Sequence, residues 1–238
     1  MSTALNPALD PALAAHAVAG TLTTTLKQSG RYRDWHPDWE VEAKLAITDP
    51  DTDPTALLWR ILGELPPLLI DRVSNGETTV YPRYLIGSDD TGAEVEYSYF
   101  TWRNAPLLKI KQHTVDTVGA PVMVSTERFR YDQDAAQWAA ESGGGLSEPL
   151  EKRRSKVLAY DADGFCYTVA VTVCVAGDRV QRQLEIEYEA SEAARDPGSL
   201  VEVAEQVRRA AQRIQHHSPV PLEPTTETKY EFFQEVSR

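Results

Sequence analysis

Apolar and polar residues alternate along most of the chain after Pro37. In Trp39–Ile47, Val41, Ala43 and Leu45 fall on one parity and Glu40, Glu42 and Lys44 on the other, the period of a strand with one apolar face. The same alternation predicts strands over 79–87, 93–102, 107–115 and 123–131, with Asp89-Asp90-Thr91-Gly92 as a hairpin connection. It resumes over 151–161, 165–176 and 179–190, separated by the turn signals Asp163-Gly164 and Gly177-Asp178. Helical spacing replaces it in three places. Asp53-Pro54 opens a helix through Leu65 that Pro66-Pro67 stops, a short helix fits 134–141, and Leu200, Val203, Val207, Ala211 and Ile214 mark a helix over 199–216. Pro219, Pro221 and Pro224 end that last helix, and a final strand is expected over 226–233.

The first residues read differently. Asn6-Pro7 and Asp10-Pro11 precede an Ala-, Leu- and Thr-rich stretch that suits a helix from Pro11 to Gln28, ended by Gly30. The expected organisation is an N-terminal helical extension over 1–35 and one domain over 36–238. Tyr32, Trp35 and Trp39 cluster ahead of the first strand and read as a packing element. Gly143-Gly144-Gly145 reads as a loop, because no strand–helix context surrounds it.

Composition narrows the function classes. Of 238 residues, 24 are Lys or Arg and 36 are Asp or Glu, a net charge of −12. That balance argues against general binding to nucleic acid or to an acidic membrane surface, and leaves room for a basic pocket inside an acidic shell. Cys166 and Cys174 lie in one apolar run and read as buried thiols in a reducing compartment, too few for a disulfide framework or a zinc site. With no leader-like N-terminus and no long apolar run, a cytoplasmic protein is expected. His16, His36 and His113 are isolated and receive no role, and His216-His217 fits the last turn of a helix. No Ser or Cys has a partnered His in a readable motif, which leaves covalent hydrolysis without support.

On four of the strands the charges of the polar face keep to one sign, basic on three and acidic on one. Lys109 and Lys111 oppose Leu108 and Ile110, Arg128 and Arg130 flank Phe129, and Lys152, Arg154 and Lys156 lie in line. Glu185, Glu187 and Glu189 oppose Leu184, Ile186 and Tyr188. A merely solvated face mixes signs, because like charges side by side destabilise a sheet. Such rows are relieved by ligands of opposite charge. Carboxylates without His or Cys call for a hard divalent cation, Mg²⁺ or Mn²⁺, and clustered Lys and Arg call for phosphates. A closed barrel with charged faces inward and helices over its apolar outside gathers all of these faces.

The ordered motifs resemble the CYTH domain, or triphosphate tunnel metalloenzyme, family. Glu40-Val41-Glu42-Ala43-Lys44 matches its ExExK opening, Lys109-Ile110-Lys111 a later basic pair, and Arg128-Phe129-Arg130 the basic strand that follows. Lys152-Arg153-Arg154, then Arg182 before Glu185-Ile186-Glu187-Tyr188-Glu189, and finally Thr228-Lys229-Tyr230-Glu231 complete the set over about 40–231. The resemblance implies an α+β fold, a closed eight-stranded antiparallel tunnel with a charged interior and flanking helices. It implies Mg²⁺ or Mn²⁺ on Glu40, Glu42, Glu185, Glu187 and Glu189, and phosphate on Lys44, Lys109, Lys111, Arg128, Arg130, Lys152, Arg154 and Arg182. Lys229 is expected to act near the tunnel mouth, with Glu40, Glu42 and Lys44 in the catalytic set. The implied activity is metal-dependent hydrolysis of a small-molecule triphosphate: tripolyphosphate, a nucleoside triphosphate or thiamine triphosphate. An adenylate cyclase and a silent polyphosphate- or nucleotide-binding module remain as alternatives, and whether the chain forms a homodimer is open.

Overall fold

In the computed structural model, the strands that carry Glu40, Lys109, Lys152 and Glu185 turn their charged parity toward a shared interior and their apolar parity outward. The structure describes residues 39–64, 69–73, 77–88, 94–102, 105–114, 120–131, 134–141, 145–160, 165–191 and 200–236. The expected helix over 11–28, the side chains of Tyr32, Trp35 and Trp39, and the turn 89–92 lie outside the described residues.

In chain order the elements are β1 (Trp39–Ile47), α1 (Pro54–Glu64), β2 (Leu69–Val73), β3 (Thr78–Val80), β4 (Arg83–Ser88), β5 (Glu94–Trp102) and β6 (Ala105–Thr114). There follow β7 (Val122–Tyr131), α2 (Ala135–Glu141), β8 (Glu151–Tyr160), β9 (Phe165–Ala176), β10 (Arg179–Ser191), α3 (Leu200–His217), β11 (Leu222–Thr225) and α4 (Lys229–Val236). The eleven strands form one sheet in the order β2-β8-β9-β10-β1-β7-β6-β5-β4, with β11 on β1 and β3 on β8. Every ladder is antiparallel.

The ladders do not close this sheet into a barrel: among the described residues none joins β4 to β8. The two ends of the path are nonetheless linked by one stretch of chain. Thr78–Val80 pairs with β8, and after Tyr81-Pro82 the chain enters β4, which pairs with β5. The segment leading into β8 also reaches β4, since Ser147 N donates to Tyr84 O and Leu150 N to Pro82 O, both at 2.9 Å.

The main core lies on the outer face of β1, β9 and β10. Val41, Ala43, Leu45, Val169, Val171, Leu184 and Ile186 pack beneath α1 and α3. The inward stripe of α3, including Val203, Val207, Ala211 and Ile214, is fully buried; each such Val or Ile contributes roughly 1.5–3 kcal/mol. Trp138 and Ala139 of α2 cover Leu108 and Ile110 on the outside of β6. Cys166 and Cys174 are both buried, as expected.

Helix starts follow their caps. Asp53 Oδ1 accepts from Thr55 N at 2.9 Å and opens α1, and Asp134 Oδ1 accepts from Gln137 N at 2.7 Å and opens α2. Between β9 and β10, Gly177 holds φ +61°, a left-handed turn position that a side chain would strain. Two expected elements differ: the single strand over 79–87 is split at Tyr81-Pro82 into β3 and β4, and 226–233 is not a strand. Thr228 N donates to Glu231 Oε2 at 2.7 Å and Glu231 N to Thr228 Oγ1 at 3.0 Å, a reciprocal capping box that starts α4.

Candidate active site

The inner face of the sheet encloses a cavity of about 410 Å³ whose wall carries seven cations and six carboxylates. The cations are Lys44, Lys109, Lys111, Lys152, Arg154, Lys156 and Lys229; the carboxylates are Glu40, Glu42, Glu96, Glu127, Glu185 and Glu187. Strand alternation delivers them. β1 presents Glu40, Glu42 and Lys44, β6 presents Lys109 and Lys111, β8 presents Lys152, Arg154 and Lys156, and β10 presents Glu185 and Glu187. Lys229 comes from the first turn of α4, held there by the Thr228 cap.

Register interleaves the signs. Lys44 stands opposite Glu185, and Lys111 stands between Glu96 on one neighbour and Glu127 on the other. Glu42, however, stands directly opposite Glu187, two carboxylates in the arrangement that destabilises a sheet unless a cation lies between them. Lys111 Nζ is 2.8 Å from Glu42 Oε1 and also pairs with Glu40, to which Lys109 adds a contact at 3.8 Å. Lys44 Nζ is 3.2 Å from Glu42 Oε1. Across the cavity, Arg154 Nη2 lies 3.3 Å from Glu185 Oε2 and 3.6 Å from Glu187 Oε2, while Lys229 pairs with Glu185. Hydroxyls complete the carboxylates: Thr172 Oγ1 donates to Glu185 at 3.0 Å and Ser125 Oγ to Glu40 at 3.3 Å.

These neighbours shift the acidities. Burial and the Glu42 charge push Glu40 upward, yet Lys109, Lys111 and the Lys111 hydrogen bond hold it at about 2. Burial works against Glu42 too, but the charges of Lys111, Lys44 and Lys229 keep it well below the carboxylate range. Lys111 is held well above the usual range: burial lowers it, and Glu40, Glu42, Glu127 and Glu96 more than compensate. The other end of the cavity has cationic neighbours. Burial, then Arg154, Lys109 and Lys111, bring Lys152 down to about 8. Burial with the charges of Lys44 and Lys152 takes Lys229 well below the ordinary lysine range.

Four residues singled out in the sequence lie elsewhere. Arg128 and Arg130 are exposed on the opposite face of β7, where Glu127 and Phe129 are the residues that line the cavity. Arg182 has the parity of Leu184 and Ile186, and it lines a separate outer recess with Asp53 and Arg153. Glu189 sits at a register shift between Tyr188 and Ala190, buried, and accepts from Thr168 Oγ1 at 2.6 Å outside the cavity lining. Glu96, Glu127 and His113 were missed. Their parity on β5, β7 and β6 was readable, but which parity faces the interior becomes evident only when Lys111 is placed between its neighbours. His113 Nε2 lies 3.6 Å from Glu96 Oε2.

The donor chemistry fits a hard divalent cation: every anionic donor in the cavity is a carboxylate, and the opposed Glu42 and Glu187 are joined by Glu40 and Glu185 one step along their strands. Among the described residues no three His, Cys, Asp or Glu side chains stand together as a metal-holding group. Glu40 and Glu42 are instead turned onto Lys111, and Glu185 onto Lys229 and Arg154.

No family model matches the chain, and no curated protein matches it. Solved structures do. A candidate adenylyl cyclase from Hippeastrum with a dominant triphosphatase activity is 13% identical, covers 82% of this chain and 95% of its own, and superposes with a TM-score of 0.46. The PH1819 protein of Pyrococcus horikoshii OT3 is 14% identical over 84% of this chain and 99% of its own, with a TM-score of 0.46. The capping-enzyme triphosphatase of Mimivirus is 9% identical over 84% and 96%, with a TM-score of 0.34. At these scores and identities the likeness carries no argument about the chemistry of this chain. The chain is similar to solved structures among which triphosphatases recur, and what its cavity does has to be read from its own residues.

Proposed function

We propose that this protein is a divalent-metal-dependent hydrolase of a triphosphate-containing small molecule bound in the charged cavity. One observation carries the reading: seven cations and six carboxylates share one cavity wall, so that its charges nearly cancel. A site for a bare polyanion would be basic. A balanced one suits a polyanion that arrives with its own divalent cations. The ordered motifs from Glu40 to Glu231, with their resemblance to the triphosphate tunnel family, support the same reading. In it, β3 and β4 complete the enclosure into a tunnel, and residues 36–238 act as one domain with 1–35 as an extension.

On binding, phosphate oxygens would replace carboxylates as partners of Lys44, Lys109, Lys111 and Arg154, and would give Lys152 a counter-charge. The carboxylates released, Glu40, Glu42, Glu185 and Glu187, would hold Mg²⁺ or Mn²⁺. The ion would neutralise phosphate oxygens and acidify a bound water. Lys44, between Glu42 and Glu185, would keep the phosphate chain in register with that pair of carboxylates. The Lys229 amine, lowered by burial and by Lys44 and Lys152, would give up its proton more readily than an ordinary lysine. In-line attack of water would then release one phosphate.

The test is incubation with tripolyphosphate, ATP and thiamine triphosphate, with Mg²⁺ or Mn²⁺, and resolution of all products by ³¹P NMR. Metal-dependent phosphate release is expected. Cyclic AMP with pyrophosphate would overturn hydrolysis in favour of cyclisation, and intact substrates throughout would overturn an enzymatic role toward these compounds.

A further inference from the structure

We infer that the cavity has an apolar end which takes the planar ring of an organic triphosphate, making the substrate an aromatic-ring-bearing triphosphate and not inorganic tripolyphosphate. The inference rests on the triphosphate reading above and deepens it.

The inner faces of three neighbouring strands change character together. One row across β5, β6 and β7 is fully charged, with Glu96 opposite Lys111 and Lys111 opposite Glu127. The next row is mixed: Ser98 opposite Lys109, and Lys109 opposite Phe129. The row beyond pairs Phe100 with Leu107 and carries no charge. All of these residues line the one cavity, as do Pro82 and Val80, the latter opposite Lys152 on β8.

Phe129 makes the case for a ligand. It lines the cavity yet remains 42% exposed, so its ring has apolar surface left to bury. The Lys109 ammonium lies 5.9 Å from the centre of that ring, where charge gives way to apolar wall. A ligand with its terminal phosphates on Lys109 and Lys111 would therefore have its non-phosphate end on Phe129, Phe100 and Leu107. Tripolyphosphate has no apolar surface to place there and would leave Phe129 wet. A planar ring stacks on Phe129 and buries both faces of the contact. The net charge of −12 disfavours a nucleic-acid strand as the bearer of that ring, so a small molecule is the occupant.

The test measures Kd for ATP, thiamine triphosphate and tripolyphosphate with Ca²⁺ to slow turnover, and kcat/KM with Mg²⁺ or Mn²⁺. It uses wild type, Phe129→Ala, Phe129→Trp and Arg128→Ala. Wild type is expected to prefer at least one ring-bearing triphosphate over tripolyphosphate, and Phe129→Ala to cut that preference about tenfold. Phe129→Trp restores the preference, and Arg128→Ala, on the opposite face of β7, leaves it as in wild type. Saturation of protein aromatic protons should transfer to ring protons of the bound ligand in wild type and not in Phe129→Ala. Equal or tighter binding of tripolyphosphate, or a preference insensitive to Phe129, overturns the ring site while leaving a triphosphatase intact. If none of the three compounds binds or turns over, the triphosphate reading falls, and the ring site falls with it.

Discussion

Replacing Lys111 with Met removes the cation that holds Glu40 and Glu42 together. Lys111 is buried, ion-paired to both carboxylates, and flanked across the sheet by Glu96 and Glu127. Met has similar length and bulk, so packing survives and charge is what is lost. Removing one partner of a buried pair costs about 3–5 kcal/mol, because the remaining charge stays buried without compensation. With a urea m-value of about 2 kcal/mol/M, the midpoint should fall by about 1.5–2.5 M. The pH dependence separates this from a packing defect. The carboxylates left without Lys111 can protonate, so the loss should be largest near pH 8 and shrink toward pH 4. Mg²⁺ or Mn²⁺ should restore stability by mass action, about 2.7 kcal/mol at a hundred times Kd. Equilibrium urea unfolding at both pH values, with and without metal, is the assay. A loss below about 1 kcal/mol at pH 8, or one equal at both pH values, would refute the electrostatic account.

Other outcomes follow from the same geometry. Glu187→Gln removes one of two directly opposed carboxylates, so the metal-free thermal midpoint should hold or rise slightly while metal-supported turnover drops about 100-fold or more; unchanged turnover removes Glu187 from the site. Lys152, lowered to about 8 by burial and by Arg154, should lose its proton as pH rises past that value. Affinity for tripolyphosphate should therefore weaken above pH 8, although this group adds stability between about 8 and 10.5, where the unfolded chain binds more protons. Lys152→Met should flatten that affinity profile. Thr228→Ala should cost about 1 kcal/mol in unfolding and raise KM through the displaced Lys229, with Thr228→Ser restoring both.

Alternation made most of the sheet readable. Glu40, Glu42 and Lys44 share a face by spacing alone, and β9 was bounded correctly by its continuous apolar run. The errors have particular causes. Arg128 and Arg130 looked like binding residues because they are basic, but on β7 it is Glu127 that pairs across to Lys111, and one residue of offset turns a strand over. Arg182 was legible as an outward residue, since it shares parity with Leu184 and Ile186. Glu189 was not, because the register shift after Tyr188 appears only in the pairing with β9. The Thr228-x-x-Glu231 capping box is present in the sequence, a local signal for the helix that stands where a strand is expected. The opposition of Glu42 to Glu187 joins residues far apart in sequence, and no local pattern encodes it.

The near-cancellation of charge in the cavity has a consequence for binding order. Six carboxylates keep seven cations compatible with burial, so the cavity can fold without a ligand, and Lys44, Lys109, Lys111, Arg154 and Lys229 are already paired with carboxylates. A polyphosphate that arrives alone must displace carboxylates from Lys111, Lys109 and Arg154, leaving Glu40, Glu42 and Glu185 buried and uncompensated. A divalent cation that arrives alone must draw the same carboxylates away from their lysines and leave ammonium groups unpaired. Together the two ligands give each displaced group a new partner of opposite sign. Affinities for metal and for polyphosphate should therefore be reciprocally linked, each raising the other by the same factor. Titrating tripolyphosphate at zero and saturating Ca²⁺, then Ca²⁺ at zero and saturating tripolyphosphate, measures that factor twice, after correction for the Ca²⁺–tripolyphosphate complex formed in solution. Tripolyphosphate binding that ignores the cation would mean that the carboxylates are there to steady the lysines and have no part in holding metal.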